Sequence, residues 1–93
     1  MTSTETWSVE VMLFEGDDKT SAKATLISGT GANRRRTLVG TGRALRRPGD
    51  AAVPEIGAEI ATARALRDLA DRLLGAASDD LADLEHHDVR LVQ

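Results

Sequence analysis

Hydrophobic and polar residues alternate in three stretches of the first half of the chain, and this period of two predicts strands. The first stretch covers residues 7–14, the second 20–27 and the third 36–45. Short polar connections at 16–19 and 28–33 favour an antiparallel order. The face predicted to be buried consists of Trp7, Val9, Val11 and Leu13, then Ala22, Ala24 and Leu26, then Leu38, Gly40, Gly42 and Ala44.

Gly40 and Gly42 lie on the buried face of the third predicted strand. Glycine weakens a strand unless another segment of backbone has to come close. The two glycines therefore predict tight packing of a helix over this strand.

The period changes to three and four residues after Pro54, which suits the first position of a helix because its missing N–H needs no partner there. The predicted stripe facing the sheet is Ile56, Ile60, Ala63, Leu66, Leu69, Leu73 and Ala77. Two pairs of opposite charge lie four residues apart and can form weak ion pairs: Arg64 with Asp68, and Arg67 with Asp71. Gly75 is the predicted end of this helix. Beyond it, Ser78 suits the start of a short second helix, and the alternation in residues 88–93 suits an edge strand.

These elements predict an α+β fold, in which one long helix packs on a three-stranded antiparallel sheet in the order β-β-β-α. For the C-terminus, the sequence permits either a short helix or a strand. Ninety-three residues suit one domain, and we expect residues 1–93 to form it, with the ordered core over about 6–78.

The composition predicts a thin core, because Trp7 and Phe14 are the only aromatic residues. Self-association would bury additional apolar surface, so a homodimer is expected. The chain has no cysteine, which excludes disulfides and thiolate chemistry. Its first residues do not resemble a signal peptide and no segment is apolar enough to span a bilayer. We therefore expect a cytoplasmic protein without a membrane partner.

Charge is distributed unevenly along the chain. Residues 1–54 carry eight basic and six acidic side chains, whereas residues 55–93 carry four basic and nine acidic ones. The candidate anion or nucleic-acid contacts are Arg34, Arg35, Arg36, Arg43, Arg46 and Arg47, because guanidinium groups match phosphate oxygens. The alternative is a solvated surface that pairs with an acidic helix of a neighbour. No aromatic residues interleave the arginines to stack on bases, so nucleic acid is the less favoured partner.

The sequence predicts no catalytic residue, no cofactor and no metal ligand. The acidic residues from Asp79 to Asp88 lack the glycine-centred spacing of a calcium loop. The neighbouring His86 and His87 diverge on a helix and point oppositely on a strand, so they chelate poorly. An enzyme remains as a third hypothesis, because Glu55, Glu59 and Arg64 lie within a few helical turns of one another.

Five segments carry a resemblance that covers nearly the whole chain. They are WSVEV (7–11), DKTSAKA (18–24), GTGRA (40–44), RRPGD (46–50) and VPEIGAEIATARALRDLA (53–70). Through them the chain resembles a family of small actinobacterial domains of unknown function with a fold like that of the double-stranded-RNA-binding domain. The resemblance implies a fold and no activity. Glu55 and Glu59 also stand at the helix start, where a true double-stranded-RNA-binding domain carries lysines.

The predicted function is therefore a non-enzymatic interaction or structural module acting as a homo-oligomer, with another protein as a further partner. The far face of the sheet is expected to carry Met12, Phe14, Ile27 and Val39, and no second long helix is predicted to cover it. Nucleic-acid binding through the arginine cluster is the alternative.

Overall fold

The described part of the chain forms three strands and one helix in the order β-β-β-α. The computed structural model describes residues 2–28, 36–47, 49 and 53–92, and for residues 36 and 86–92 it describes the backbone alone. The elements are β1 (Ser8–Glu15), β2 (Lys19–Ser28), β3 (Arg36–Leu45) and α1 (Pro54–Val92). The α+β class, the three strands and the start of the helix at Pro54 are as predicted.

The sheet is an antiparallel meander with β2 in the centre. Its register is unbroken and contains no bulge: Val9 pairs with Leu26, and Leu26 pairs with Leu38 on the other side. Directly paired residues share a face. Val9, Val11 and Leu13 therefore lie on the same face as the buried residues of β2 and β3, while Met12 and Phe14 lie on the opposite face.

Helix α1 packs on β3 and β2 and barely reaches β1. It runs antiparallel to β3, since Ala61 lies over Gly42 and Leu69 lies over Gly40. A Cβ atom on Gly40 would lie 2.7 Å from Leu69 Cα and closer still to Ala65 O. A Cβ atom on Gly42 would lie 2.7 Å from Arg64 Cβ and closer still to Ala61 O. The prediction that these glycines admit the helix backbone is confirmed.

The side of the helix that faces the sheet agrees only in part with the predicted one: Leu69 and Leu73 are on it, and the other five predicted residues are not. The buried residues are Ala61, Ala65 and Leu69, with Leu73 partly buried beside them, whereas Ile56, Ile60, Ala63, Leu66 and Ala77 are exposed. The physical reason is the close approach over Gly40 and Gly42, where the backbone of the helix contacts the strand and the residues at the closest point are Ala61 and Ala65, with Leu69 beside them. Larger aliphatic residues consequently lie on the outer side.

The helix continues through Gly75 to Val92, so the predicted end at Gly75, the separate helix at Ser78 and the edge strand at residues 88–93 are wrong. Among the described residues Gly49 alone has a positive φ, so Gly75 does not adopt the left-handed conformation that ends helices. An exposed glycine inside a helix costs only about 1 kcal/mol relative to alanine, and Leu74, Ala76 and Ala77 around it favour helix.

The helix is longer than the sheet on which it packs. Its 39 residues span about 58 Å, whereas a ten-residue strand spans about 33 Å. Every side chain from Ala77 to Glu85 is exposed. No helix within the described part of the chain is long and apolar enough to cross a membrane.

The core is small and consists of short side chains. Its buried members are Ala22, Ala24, Leu26, Ala44, Ala61, Ala65 and Leu69. None of the larger side chains among the described residues is fully buried, and β1 contributes no buried residue. The expectation of a thin core is confirmed, and alanine rather than leucine dominates it.

Candidate interaction surfaces

The structure divides the predicted arginine cluster along β3. Arg34 and Arg35 lie outside the described residues, and Arg36 is the first residue of β3, with its side chain undescribed. Arg43 is seven residues further along the strand, about 23 Å away at about 3.3 Å per residue. The arginines therefore belong to two groups, at opposite ends of β3, and the structure does not assemble them into one patch.

The second group lies at the C-terminal end of β3. Arg46 forms an ion pair with Asp18 at 3.1 Å, and its backbone N–H donates to Asp18 O at 2.9 Å. Arg43 is exposed on the face opposite the helix, in register with Ser21 and Phe14, and Arg47 is exposed as well. Because Asp18 offsets the charge of Arg46, this group is a weaker anion site than its three guanidinium groups suggest.

The outer edge of β3 is held by side chains of the helix. Asp68 Oδ2 accepts a hydrogen bond from Thr41 N at 2.9 Å, and Arg64 Nη1 donates to Arg43 O at 2.7 Å. Both backbone groups lie on the strand edge that the helix flanks. The predicted Arg64–Asp68 ion pair is wrong, because both side chains bond to β3 instead.

The pKa of Asp68 lies below its ordinary value. The hydrogen bond from Thr41 N is the largest cause, and Arg72, whose Nε lies 3.1 Å from Asp68 Oδ2, adds a hydrogen bond and a favourable charge. Both hold the pKa of Asp68 below its ordinary value, against an opposing effect of burial. The ionised carboxylate therefore links α1 to the edge of β3.

We expect Asp68→Asn to flatten the acid side of the stability profile. The folded-state pKa of Asp68 lies below that of the unfolded chain, which is about 4. Its stabilisation is therefore complete above about pH 4 and is lost as pH falls through the folded-state pKa. Urea unfolding of wild type and variant between about pH 6 and about pH 2 measures this. The difference between the two proteins should be largest near neutrality and vanish in acid.

Asp71→Asn is the matched control, since Asp71 is an exposed carboxylate on the same helix. The asparagine introduced by Asp68→Asn can still accept a hydrogen bond from Thr41 N through its amide oxygen, so the comparison isolates the charge. If Asp68→Asn and Asp71→Asn alter the pH profile equally, the link between Asp68 and β3 does not stabilise the fold.

Strand β1 is apolar and exposed on both faces. On the helix side, Val11 is 37% exposed and Val9 and Leu13 somewhat more. On the far side, Met12 is 53% and Phe14 54% exposed. The prediction of an uncovered far face is confirmed for Met12 and Phe14, whereas Ile27 and Val39 on that face are half-buried. The expectation that Trp7, Val9, Val11 and Leu13 are buried is wrong. They are exposed because α1 lies over β2 and β3, which leaves β1 without cover.

A second apolar surface runs along the outer side of α1. Its residues are spaced by three and four positions, all are exposed and none is charged: Ala63, Leu66, Ala70, Leu74, Ala77, Leu81 and Leu84. We call these seven residues the outer stripe. Together with β1 they give the protein two large apolar surfaces, and exposed apolar surfaces of this kind mark interaction sites.

The other candidate sites are not assembled in the described residues. Arg64 bonds to Arg43 O, while Glu55 and Glu59 are exposed near the start of α1, so the three residues of the enzyme hypothesis do not form an acid–base cluster. Among the described residues no group of His, Asp and Glu is arranged to hold a metal ion. His86 and His87 lie within α1, and their side chains lie outside the description.

Comparison with known sequences settles the family. The Rv2632c-like family matches residues 5–90. The chain belongs to this family. Relatives with 40–41% identity include uncharacterized protein Mb1767 of Mycobacterium bovis, over 92% of this chain and 86% of that protein. Uncharacterized protein Rv2632c of Mycobacterium tuberculosis matches over 91% of this chain and 86% of its own length. The resemblance to an actinobacterial family of unknown function is therefore confirmed.

The family fold is also known from a crystal structure. The structure of Rv2632c superposes with a TM-score of 0.78 at 38% sequence identity, covering 91% of this chain and 95% of that one. The sheet and the long helix described above are thus the fold of the family. The names of these relatives assign no activity, so function has to be argued from the surfaces of the molecule.

Proposed function

We propose that this member of the family is a non-enzymatic interaction module that acts as a homo-oligomer, most simply a homodimer. The observation that supports this is the exposure of β1 on both faces. Five apolar residues of one strand, Val9 and the run from Val11 to Phe14, remain accessible to water in the single chain. A second protein surface is the simplest cover for them.

The small core supports the same proposal. Within the described part of the chain, its buried residues are five alanines and two leucines, and burying a Val, Leu or Phe side chain contributes about 1.5 to 3 kcal/mol. The single chain thus leaves most of its larger aliphatic side chains exposed to water, and association would bury several of them.

We also propose the cytoplasm as the location of this protein, because a chain without cysteine needs no oxidising compartment.

Nucleic-acid binding and the likeness to a double-stranded-RNA-binding domain stay predictions. The separation of Arg36 from Arg43 and the pairing of Arg46 with Asp18 both weaken a phosphate-binding surface. Glu55 and Glu59, exposed at the start of α1, would repel the phosphates through which an RNA duplex is held.

Light scattering on the eluting protein tests the proposal directly. One chain has a mass of 9.9 kDa. We expect the measured mass to be twice this value, and to remain so at low micromolar concentration. A monomer at high micromolar concentration would contradict the proposal. Binding to an RNA duplex that weakens strongly between about 50 and about 200 mM salt would favour the alternative function instead.

A further inference from the structure

We propose that β1 pairs antiparallel with β1 of a second copy, with Val11 opposite the partner's Val11, so that two sheets become one of six strands. This rests on the proposed self-association and names its surface. Three observations support it: the difference between the two sheet edges, the composition of β1, and the match of β1 to itself.

The two edges of the sheet differ. On β3, Thr41 N and Arg43 O are bound by Asp68 and Arg64 of the helix. Among the described residues, strand β1 pairs with β2 alone, and α1 barely reaches it. Every second residue of β1 therefore directs its backbone N–H and C=O groups away from the sheet, where a further strand can form hydrogen bonds with them.

The composition of β1 does not protect this edge. Natural edge strands are commonly blocked by proline, lysine or a bulge. The segment SVEVMLFE has no proline and no lysine, and its eight-residue register with β2 is continuous. Five of its eight residues are apolar. The exposed edge of β1 is therefore suited to pairing with a further strand.

The strand matches itself when Val11 lies on the two-fold axis. When the two-fold axis is perpendicular to the sheet, the helix-side faces of both copies lie on the same side of the joined sheet. On that side Val9 lies opposite the partner's Leu13, and Val11 lies opposite the partner's Val11. On the other face Ser8 meets the partner's Phe14 and Glu10 meets the partner's Met12. Residues 8–14 of each copy then overlap and form about six backbone hydrogen bonds.

Neighbouring registers are worse. An axis at Glu10 would place two glutamates opposite each other, and like charges in directly opposed positions are destabilising. An axis at Met12 would place Glu15 opposite the partner's Val9 and Glu10 opposite the partner's Phe14. The register centred on Val11 thus joins apolar residues on the helix side and opposes no like charges, which favours a second copy as the occupant.

Cysteine cross-linking tests this register. The chain has no native cysteine, so an introduced cysteine is the only thiol that can form a disulfide. In Val11→Cys the two thiols would face each other across the axis. Directly opposed residues of antiparallel strands have Cα atoms about 4.5 to 5.5 Å apart, within the range of a disulfide. We expect a covalent dimer on mild oxidation. Met12→Cys is the matched control on the same strand, and it should not cross-link because position 12 faces the partner's Glu10.

Charge substitution gives an independent test. Val11→Lys places two lysines opposite each other and should raise the dimer dissociation constant about 100-fold. Met12→Lys places a lysine opposite the partner's Glu10 and should leave the constant within about threefold of wild type. Circular dichroism of each variant checks that the single chain stays folded, as expected for exposed positions.

The outcomes separate the two proposals. A wild-type monomer overturns both. A wild-type dimer in which Met12→Cys cross-links as fast as Val11→Cys, or Val11→Lys still associates normally, overturns the β1 pairing and leaves the homodimer standing. Dissociation by Leu81→Lys with no effect of Val11→Lys would move the interface to the outer stripe and overturn the β1 pairing as well.

Discussion

Gly40→Ala is expected to lower the free energy of unfolding by about 3 kcal/mol, because overpacking against backbone cannot be relieved by a side-chain rotation. The added Cβ atom would lie 2.7 Å from Leu69 Cα, so the helix itself must move. That movement separates Ala61, Ala65 and Leu69 from the sheet, and these residues are the helix side of the core. For a domain whose total stability is about 5 to 10 kcal/mol, the loss is severe.

Urea unfolding followed by circular dichroism measures this effect, at one fixed chain concentration because association would shift the midpoint. Gly75→Ala is the matched control: a Cβ atom there meets nothing within 4 Å. It should raise the free energy of unfolding by about 0.5 to 1 kcal/mol through helix propensity. Equal effects of the two substitutions would mean that the helix does not approach Gly40.

The second large effect is expected for Leu69→Ala, which should cost about 2 to 4 kcal/mol. Leu69 is only 6% exposed and packs over Gly40. Leu74→Ala removes the same atoms from a residue that is 68% exposed. It should cost less than about 1 kcal/mol in the single chain, because exposed leucine loses little burial.

This pair of substitutions determines which side of the helix faces the sheet. Thermal or urea unfolding of both variants at the same low chain concentration is the measurement. If Leu74→Ala proves as costly as Leu69→Ala under conditions where the protein is monomeric, the assignment of the buried side of α1 is wrong.

The strands could be predicted from the sequence because a period of two is hard to mistake when polar turns separate the strands. The first residue of the helix was equally clear, since Pro54 suits the first helical position and the period changes after it. The interpretation of Gly40 and Gly42 also succeeded, because glycine on a buried strand face has few explanations other than close approach of another backbone.

The helix stripe was mispredicted for a physical reason. Residues spaced by three and four positions form two apolar stripes on α1, one of alanines with Leu69 and one of larger aliphatic groups. Hydrophobicity favours the larger groups as core, and the close approach over Gly40 and Gly42 favours the alanines. The glycines predict the close approach of the helix, and the side of the helix that carries Ala61 and Ala65 fits that approach.

The links at the edge of β3 could not be found from the sequence. Asp68 and Arg64 bond to backbone atoms, Thr41 N and Arg43 O, and backbone acceptors and donors have no signature in residue type. The sequence showed two opposite charges four residues apart, which indicates an ion pair along the helix. Only the position of the helix beside β3 turns both side chains toward the sheet.

The hydrogen bonds from Asp68 and Arg64 to β3 also bear on how many copies can join. A sheet with two free edges adds strands at both and grows without limit into fibres. In the dimer proposed above, the two outer edges would both be β3 edges, where helix side chains bind Thr41 N and Arg43 O, so assembly is expected to stop after a single addition. Loss of either side chain would then do more than weaken one fold. It would free one backbone group on the outer edge of β3, and loss of both would expose Thr41 N and Arg43 O to a further strand.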